Sequence, residues 1–283
     1  MKGGYKVNNI KIIAEIGINH NGNLEIAKEL IKQSKENGAD IVKFQKRNPD
    51  VCVPENQKNI IKDTVFGEMS YIEYKHKIEF GKKEYDEIDR YCKELGIDWT
   101  ASIWDIDSLN FLLQYNIPFI KIPSAVATHW ELLELVNKSK KPVVISNGMT
   151  TEEDFDKAIN ILNDCDVTIL LCNSSYPAKY EELNLSYIDV LKNKYPNCKI
   201  GFSGHELNNT ATFVAASIGV DVIERHVTLD HNMKGTDHTS SLEIKDLKSL
   251  KEQLDIISII RGEPKKEVYE SEIGIAKKLR YYN

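Results

Sequence analysis

Eight short apolar runs, rich in β-branched residues, alternate with longer amphipathic stretches along this chain. The runs are Ile10–Ile16, Asp40–Gln45, Asp98–Ile103, Phe119–Ile122, Val143–Ser146, Val167–Cys172, Lys199–Phe202 and Val220–Arg225. Strands that alternate with helices form parallel sheets, and eight such units favour closure into a barrel over an open, doubly wound sheet. The runs are nearly continuous in apolar residues, which is typical of strands buried on both faces. We therefore predict an α/β protein, a single-domain (β/α)8 TIM barrel over residues 1–262, with a helical or extended tail at 263–283.

The stretches between the strands carry the apolar periodicity of helices. Predicted helices are Leu24–Asn37, Lys83–Leu95, Ile106–Tyr115, Trp130–Ser139, Thr151–Leu162, Asn209–Ile218 and Ile244–Ile260. The longest gap, Lys46–Lys82, far exceeds an ordinary connection between a strand and a helix. We expect this gap to contain short helices of its own and to cover the site.

Composition narrows the class of protein. Hydrophobic residues make up 41% and charged residues 28% of the 283 positions, enough apolar material for a sizeable core. The chain has 37 Lys and Arg against 43 Asp and Glu, a net charge of −6, so no overall positive field favours nucleic acid or an anionic membrane. Neither a signal peptide nor a membrane-spanning run is evident, and a cytoplasmic location is expected. The five cysteines are scattered without a CxxC pair, which argues against a disulfide framework or a thiolate zinc site.

Unusual polar residues gather where the predicted strands end, the edge of a barrel at which catalytic residues lie. Lys43 and Lys121 each interrupt an apolar strand. A buried lysine is costly unless it is paired, so two of them facing one opening predict a bound anion. The alternative is that each lysine pairs with a core carboxylate such as Glu15.

Histidines stand at two neighbouring strand ends, His205 and His226. Two imidazoles brought together there can bind a divalent cation, although by spacing alone a structural role for each is the more common outcome. Further candidate ligands are His20, His231 and His238.

Seven strings, read in order, resemble the sialic acid synthase family. They are IIAEIGINHNGN, GADIVKFQ, IKIPSA, ISNGMT, CNSSYP, GFSGHE and IERHVTLDHNMKGTDH. The match as a whole runs from about Ile10 to about Gly262. Members of this family condense phosphoenolpyruvate with an amino sugar to give nonulosonic acids. The resemblance implies a (β/α)8 barrel with a divalent ion at its open end, Mn²⁺ being expected and Mg²⁺ or Co²⁺ the alternatives.

The resemblance also implies roles for individual residues. Phosphoenolpyruvate contacts are implied for Lys43, Gln45, Lys121, Ser124, Ser146, Ser174 and Ser203. Metal ligation is implied for His205 and His226, and Glu224 corresponds to a carboxylate that activates water. Sugar-side or proton-handling positions are implied for Glu15, Tyr176 and Asp237.

The chain departs from the family pattern at three positions and at its end. Val126 stands where a glutamate is usual, Gly204 where an aspartate is usual, and Ser174 where an asparagine is usual. The sequence ends at Asn283, and we therefore expect the antifreeze-like domain that follows the barrel in family members to be absent. That domain closes a neighbouring subunit's site and supplies an arginine to the acyl-amino group of the sugar.

Three hypotheses follow. The first is condensation of phosphoenolpyruvate with an N-acylmannosamine-like sugar, in a homo-oligomer to which a separate lid chain could contribute. The second keeps the chemistry but changes the acceptor to a shorter or non-acylated aldose. The third is a degenerate barrel that binds a sugar or a partner protein without turnover.

Overall fold

The computed structural model describes residues 9–282 and contains the predicted (β/α)8 barrel. Its strands are β1 (Lys11–Gly17), β2 (Ile41–Lys46), β3 (Ile61–Thr64), β4 (Gly67–Ser70), β5 (Asp98–Ile103), β6 (Ile120–Ile122), β7 (Val143–Ser146), β8 (Val167–Cys172), β9 (Lys199–Gly204), β10 (Val222–Thr228) and β11 (Leu242–Glu243). The parallel order β1-β2-β5-β6-β7-β8-β9-β10 closes because β10 pairs with β1, with Val222 opposite Lys11. The prediction of a closed parallel barrel is therefore confirmed.

Twelve α-helices lie among residues 9–282. They are α1 (Leu24–Glu36), α2 (Pro49–Cys52), α3 (Glu55–Lys58), α4 (Tyr71–Ile78), α5 (Lys82–Leu95), α6 (Ile106–Leu112), α7 (Trp130–Ser139), α8 (Glu152–Ile161), α9 (Tyr187–Lys194), α10 (Thr210–Ile218), α11 (Leu247–Arg261) and α12 (Glu270–Leu279). All seven predicted helices are present, although α6 ends at Leu112 rather than Tyr115. Helix α9 was not predicted, because its eight residues bury only Ile188 and Leu191 and so carry little periodicity. No helix among the described residues is both long and apolar enough to cross a bilayer.

The segment between β2 and α5 contains the expected short helices, and also an antiparallel hairpin that was not predicted. In this hairpin β3 pairs with β4, with Ile61 opposite Ser70. Ser70 then begins α4 through reciprocal hydrogen bonds with Glu73. Tyr74 and Ile78 of α4 pack against Ile18, which follows β1, so the segment is attached beside the carboxyl ends of the strands.

The barrel interior is apolar at one end and polar at the other. Five side chains fill the amino-terminal end, namely Ile13, Phe119, Val144, Leu170 and Val222. Towards the carboxyl ends, the inward positions change to charged and hydroxylated residues. The main apolar core lies outside the barrel, between the strands and the surrounding helices. The chemistry of the chain is thereby concentrated at one end of the barrel.

Candidate active site

Two lysines and two glutamates form a buried charge cluster at the polar end of the barrel. Lys43 Nζ lies 2.5 Å from Glu15 Oε2 and 3.8 Å from Glu224 Oε2. Lys121 Nζ lies 3.7 Å from Glu224 Oε1. All four residues are at most 4% exposed. Both interpretations of the lysines, pairing with a carboxylate and an opening towards a bound anion, therefore apply. Each lysine has a carboxylate nearby, and both lysines line one cavity.

The two glutamates differ in protonation although they share one cluster. Burial raises the pKa of Glu15 to about 7; Lys43 opposes this rise and Glu224 adds to it. Burial also disfavours ionisation of Glu224, but Lys121, Lys43 and a hydrogen bond from Ser203 outweigh it and lower its pKa to about 2. Near neutral pH, Glu224 is therefore the ionised partner of the lysines, and Glu15 is the carboxyl group able to exchange a proton.

Hydroxyl groups from neighbouring strands surround this cluster. Ser102 accepts a hydrogen bond of 2.9 Å from Lys43, and Ser146 accepts one of 2.6 Å from Lys121. Ser203 donates to Glu224 Oε1 over 2.9 Å, from the position directly opposite in the register of β9 and β10. The parallel register of β5 and β6 likewise places Ser102 opposite Lys121. Inward positions of successive strands thus converge on a single point.

Ser124 and Ser174 line the cavity that contains the lysines, and Gly148 lies against both serines. The buried Ser124 Oγ has no hydrogen-bond partner within residues 9–282, so it is free to contact a ligand. A Cβ atom at Gly148 would lie 2.3 Å from Ser174 Oγ and 2.7 Å from Ser124 Oγ. Glycine is therefore needed at position 148 to let the two hydroxyl groups approach each other.

His205 and His226 lie on the opposite side of the cavity, with ring centroids 5.3 Å apart. His205 Nδ1 is 2.7 Å from the carbonyl oxygen of Asn173, which can only accept, so Nδ1 carries a hydrogen and the neutral form of the ring has its lone pair on Nε2. Burial lowers the pKa of His226 to about 4, and its buried Nδ1 has no hydrogen-bond partner within residues 9–282. Neutral imidazoles with free lone pairs are the form that binds a divalent ion, so this pair fits one. Nowhere in residues 9–282 do three His, Cys, Asp or Glu side chains converge as a ready metal site, so water or substrate would complete the coordination.

The other candidate histidines are not brought to this cavity. His20 is buried against the ring of Phe80, with centroids 3.9 Å apart, and burial lowers its pKa to about 3. His231 contacts the carbonyl oxygen of Ser241, and His238 contacts the hydroxyl group of Thr228. These three histidines hold loops together.

Tyr176 and Gln45 lie between the small cavity and a larger chamber, and Asp237 lines the chamber. The cavity of about 140 Å³ and the chamber of about 650 Å³ share Gln45, Trp104, Ala125 and Tyr176 in their walls. The Tyr176 ring lies 4.1 Å from that of His205, whereas Asp237 lines the chamber, 3.9 Å from His226 Nδ1. All thirteen residues to which the resemblance assigns a role therefore line either the cavity or the adjoining chamber, whereas His20, His231 and His238 line neither.

Some residues that line the site were not predicted from the sequence. Ser102 and Cys172 line the cavity, Arg47 lines the chamber, and Trp104 lines both. Ser102 could have been recognised by its alternation with Thr100 on an otherwise apolar strand. No sequence signal marks Arg47, because its position depends on the path of the segment that follows β2.

A family model, that of the NeuB family, matches residues 30–266. The chain belongs to the NeuB family. It is 39% identical over 252 residues to N-acetylneuraminate-9-phosphate synthase of Drosophila melanogaster, covering 87% of this chain and 68% of that protein. It is 34% identical over 278 residues to N,N'-diacetyllegionaminic acid synthase of Campylobacter jejuni, covering 94% and 83%.

Solved structures agree with this assignment. An N-acetylneuraminic acid synthetase from Leptospira borgpetersenii, crystallised with citrate, superposes with a TM-score of 0.87 at 30% identity. The match covers 100% of this chain and 97% of that one. This NeuB-family chain is accordingly an enzyme, a synthase of the sialic acid type, and the hypothesis of a barrel without turnover is set aside.

Proposed function

We propose that this NeuB-family enzyme condenses phosphoenolpyruvate with the open-chain form of an N-acylmannosamine-like sugar, giving a nonulosonic acid and phosphate. The observation that carries the proposal is the pair of buried lysines, Lys43 and Lys121, on either side of Glu224 and beside the unpartnered Ser124 hydroxyl group. Two ammonium groups and several hydroxyl groups at one point suit a small ligand with a phosphate and a carboxylate.

The chain's own residues would hold phosphoenolpyruvate at this point. Lys43 and Lys121 supply charge, and Ser124, Ser146 and Ser174 supply hydrogen bonds to its oxygen atoms. A bound anion would compete with Glu15 and Glu224 for the lysines. Because the lysines lower the pKa of Glu224, their engagement by substrate would raise that pKa and make Glu224 a stronger base.

The reaction then needs one carbon–carbon bond and one water molecule. Carbon 3 of phosphoenolpyruvate bonds to carbon 1 of the aldehyde, whose oxygen takes up a proton. Water adds to the cationic carbon 2 and loses a proton to Glu224, and phosphate leaves with cleavage of its bond to carbon 2. Glu15, whose raised pKa of about 7 leaves part of it protonated near neutral pH, is placed to supply the proton, and Tyr176 and Asp237 lie on the side where the sugar would enter.

The fit of His205 and His226 to a divalent ion supports a metal-dependent reaction, with Mn²⁺ proposed. Such an ion would act as a Lewis acid on the sugar aldehyde. His205 is oriented for this role by the carbonyl group of Asn173.

A second candidate is the same chemistry with a different, shorter or non-acylated aldose. Val126 favours it, since an apolar side chain lines the chamber where family members carry a glutamate. An apolar wall discriminates weakly between sugars that differ by one hydroxyl group.

We also propose a location and an assembly for the enzyme. Phosphoenolpyruvate is a charged intracellular metabolite, so a cytoplasmic location is proposed. The chain is proposed to assemble as a homo-oligomer, with or without a separate lid chain.

The test is consumption of phosphoenolpyruvate by the purified chain with Mn²⁺ and a panel of aldoses. We expect turnover with N-acetylmannosamine or its derivatives, release of phosphate, and a 3-deoxy-2-keto acid product identified by mass spectrometry. Preferred turnover of a non-acylated aldose would favour the second candidate. Failure of every aldose to promote consumption would contradict both.

A further inference from the structure

Lys75 is a buried lysine that the proposed chemistry does not use. It lies on α4, lines the chamber of about 650 Å³ and is only 5% exposed. Its ammonium group is 5.1 Å from the Tyr71 ring and 5.5 Å from the Tyr74 ring, and within residues 9–282 it makes neither an ion pair nor a hydrogen bond. Lys43 and Lys121, by contrast, have carboxylate oxygens at 2.5 and 3.7 Å. Lys75 is therefore a buried amine without a direct partner for its charge.

Two further donor groups of the chamber wall have no acceptor. The Arg47 guanidinium group stacks on the Trp104 ring at 4.3 Å and donates through Nη2 to Gln45 Oε1. Arg47 Nε and Trp104 Nε1 are buried, and neither has a hydrogen-bond partner within residues 9–282. Glu79 Oε2 is 3.9 Å from Arg47 Nε, which is too far for a hydrogen bond. This part of the wall therefore has more donors than acceptors.

The carboxylates that line the chamber are engaged elsewhere. Asp105 accepts hydrogen bonds from two backbone N–H groups. Asp237 accepts one from the Thr236 hydroxyl group and faces His226. The excess of donors around Lys75 is thus not met by a side chain of the chamber wall, and unmet buried donors are costly.

The surroundings of Lys75 favour its neutral form. Burial, reinforced by the positive charge of Arg47, lowers the pKa of Lys75 to about 8, although the charges of Asp237 and Glu79 oppose this shift. At pH 8 about half of the amine is therefore neutral, roughly a hundredfold more than for an exposed lysine. A neutral, desolvated lysine is a nucleophile, whereas an ammonium group is not.

We propose that the side chain of Lys75 is carbamylated reversibly by carbon dioxide. The neutral Nζ forms a bond to the carbon atom of CO₂, one C–O π bond gives its electron pair to oxygen, and Nζ loses a proton to solvent. Starting from the ammonium form, two protons are released in all, and no group is oxidised or reduced. The product is a carbamate, so Lys75 carries a negative charge in place of a positive one. This modification goes beyond the proposed condensation and does not depend on it, since Lys75 has no part in that reaction.

The carbamate would supply what this part of the chamber lacks. Its two oxygen atoms are acceptors for donors such as the unpartnered Arg47 Nε and Trp104 Nε1. The charges of Arg47 and Lys75 change from like to opposite, so their interaction becomes favourable. Carbon dioxide is uncharged, and two cationic side chains do not repel it. The modified wall offers acceptors to a ligand in the chamber where the unmodified wall offers a second positive charge.

The experiment equilibrates the purified chain at pH 8, near the pKa of Lys75, with ¹³C-labelled bicarbonate as the source of CO₂. The carbamate is detected by ¹³C NMR, trapped as its ethyl ester with triethyloxonium tetrafluoroborate, and located by mass spectrometry of peptides. The variants are Lys75→Met, Arg47→Gln and the control Lys77→Met, which removes an exposed lysine of the same helix.

We expect the carbamate on Lys75 in wild type, its loss in Lys75→Met and its retention in Lys77→Met. Arg47→Gln removes a charge-assisted hydrogen bond and also a positive charge that keeps Lys75 neutral. It should therefore need about ten- to a hundredfold more bicarbonate for half-maximal labelling.

Three results would overturn the proposal. The first is an unmodified Lys75 in wild type at saturating bicarbonate. The second is equal labelling of Lys75 and the exposed Lys77, which would indicate reaction with any accessible amine. The third is labelling confined to Lys43 or Lys121, which would place the reactive amine in the cavity and not in the chamber.

Discussion

Arg225 and Glu206 form a buried ion pair of 2.7 Å directly behind the two histidines of the site. Arg225 precedes His226 on β10, and Glu206 follows His205 after β9. Arg225 also donates to the backbone carbonyl group of Glu206 and to the Thr212 hydroxyl group. The pair therefore joins the two chain segments that carry the candidate metal ligands. It also explains Gly204, since a Cβ atom there would lie 2.4 Å from Glu206 Oε2.

Substitution of Arg225 by Met tests the structural role of this pair. It leaves Glu206 charged and uncompensated in the core, so the free energy of unfolding should fall by about 3–5 kcal/mol in urea titrations. The control is Lys11→Met, which removes the partly exposed pair with Asp40 and should cost less than about 1 kcal/mol. Equal losses in the two variants would contradict the assignment.

Replacement of His205 or His226 by Ala tests the proposed metal ligands. Each variant should lose binding of Mn²⁺, measured by titration calorimetry and by metal content after dialysis, and lose metal-dependent turnover while remaining folded. His76→Ala is the matched control, because that imidazole is exposed and lines neither the cavity nor the chamber. Unchanged metal stoichiometry in both single variants would refute the site.

Lys43→Met and Lys121→Met test the binding of phosphoenolpyruvate. A charge-assisted contact contributes about 1.5–3 kcal/mol, so each variant should raise KM for phosphoenolpyruvate by roughly ten- to a hundredfold. The exposed Lys11→Met serves as the control. If KM rose only for the sugar, the two halves of the site would be reversed.

The raised pKa of Glu15 predicts a pH dependence of substrate binding. Below about pH 7 Glu15 is neutral and the cluster of two lysines and Glu224 carries a net positive charge; above it Glu15 ionises and that charge is cancelled. Wild type should therefore bind phosphoenolpyruvate more weakly as pH rises through about 7. Glu15→Gln, which mimics the neutral form, should lack this component, and the ratio of the two profiles removes the titration of the substrate itself. Parallel profiles would show that Glu15 does not titrate there.

Much of the site was predictable because the strands of a parallel barrel lie side by side in the order in which they occur in the sequence. Alternation of apolar runs and helices predicted closure, and closure alone places Lys43, Lys121, Ser146, Ser203 and Glu224 around one opening. The prediction of the short helices after β2 was also right. The hairpin and α9 were missed, since short elements with few buried residues leave little periodicity to detect.

The spacing of residues along the sequence does not predict the distances between side chains or the contacts between distant parts of the chain. That Glu15 holds the proton and Glu224 the charge depends on separations of 2.5 to 3.8 Å between side chains from different strands. The approach of Arg47 and Lys75 depends on how 27 intervening residues fold over the opening. Periodicity records which face of an element is buried, and so it predicts the barrel and its polar end. Protonation and ligand preference arise from electrostatic energies that change steeply over a few ångströms, and packing alone sets those distances.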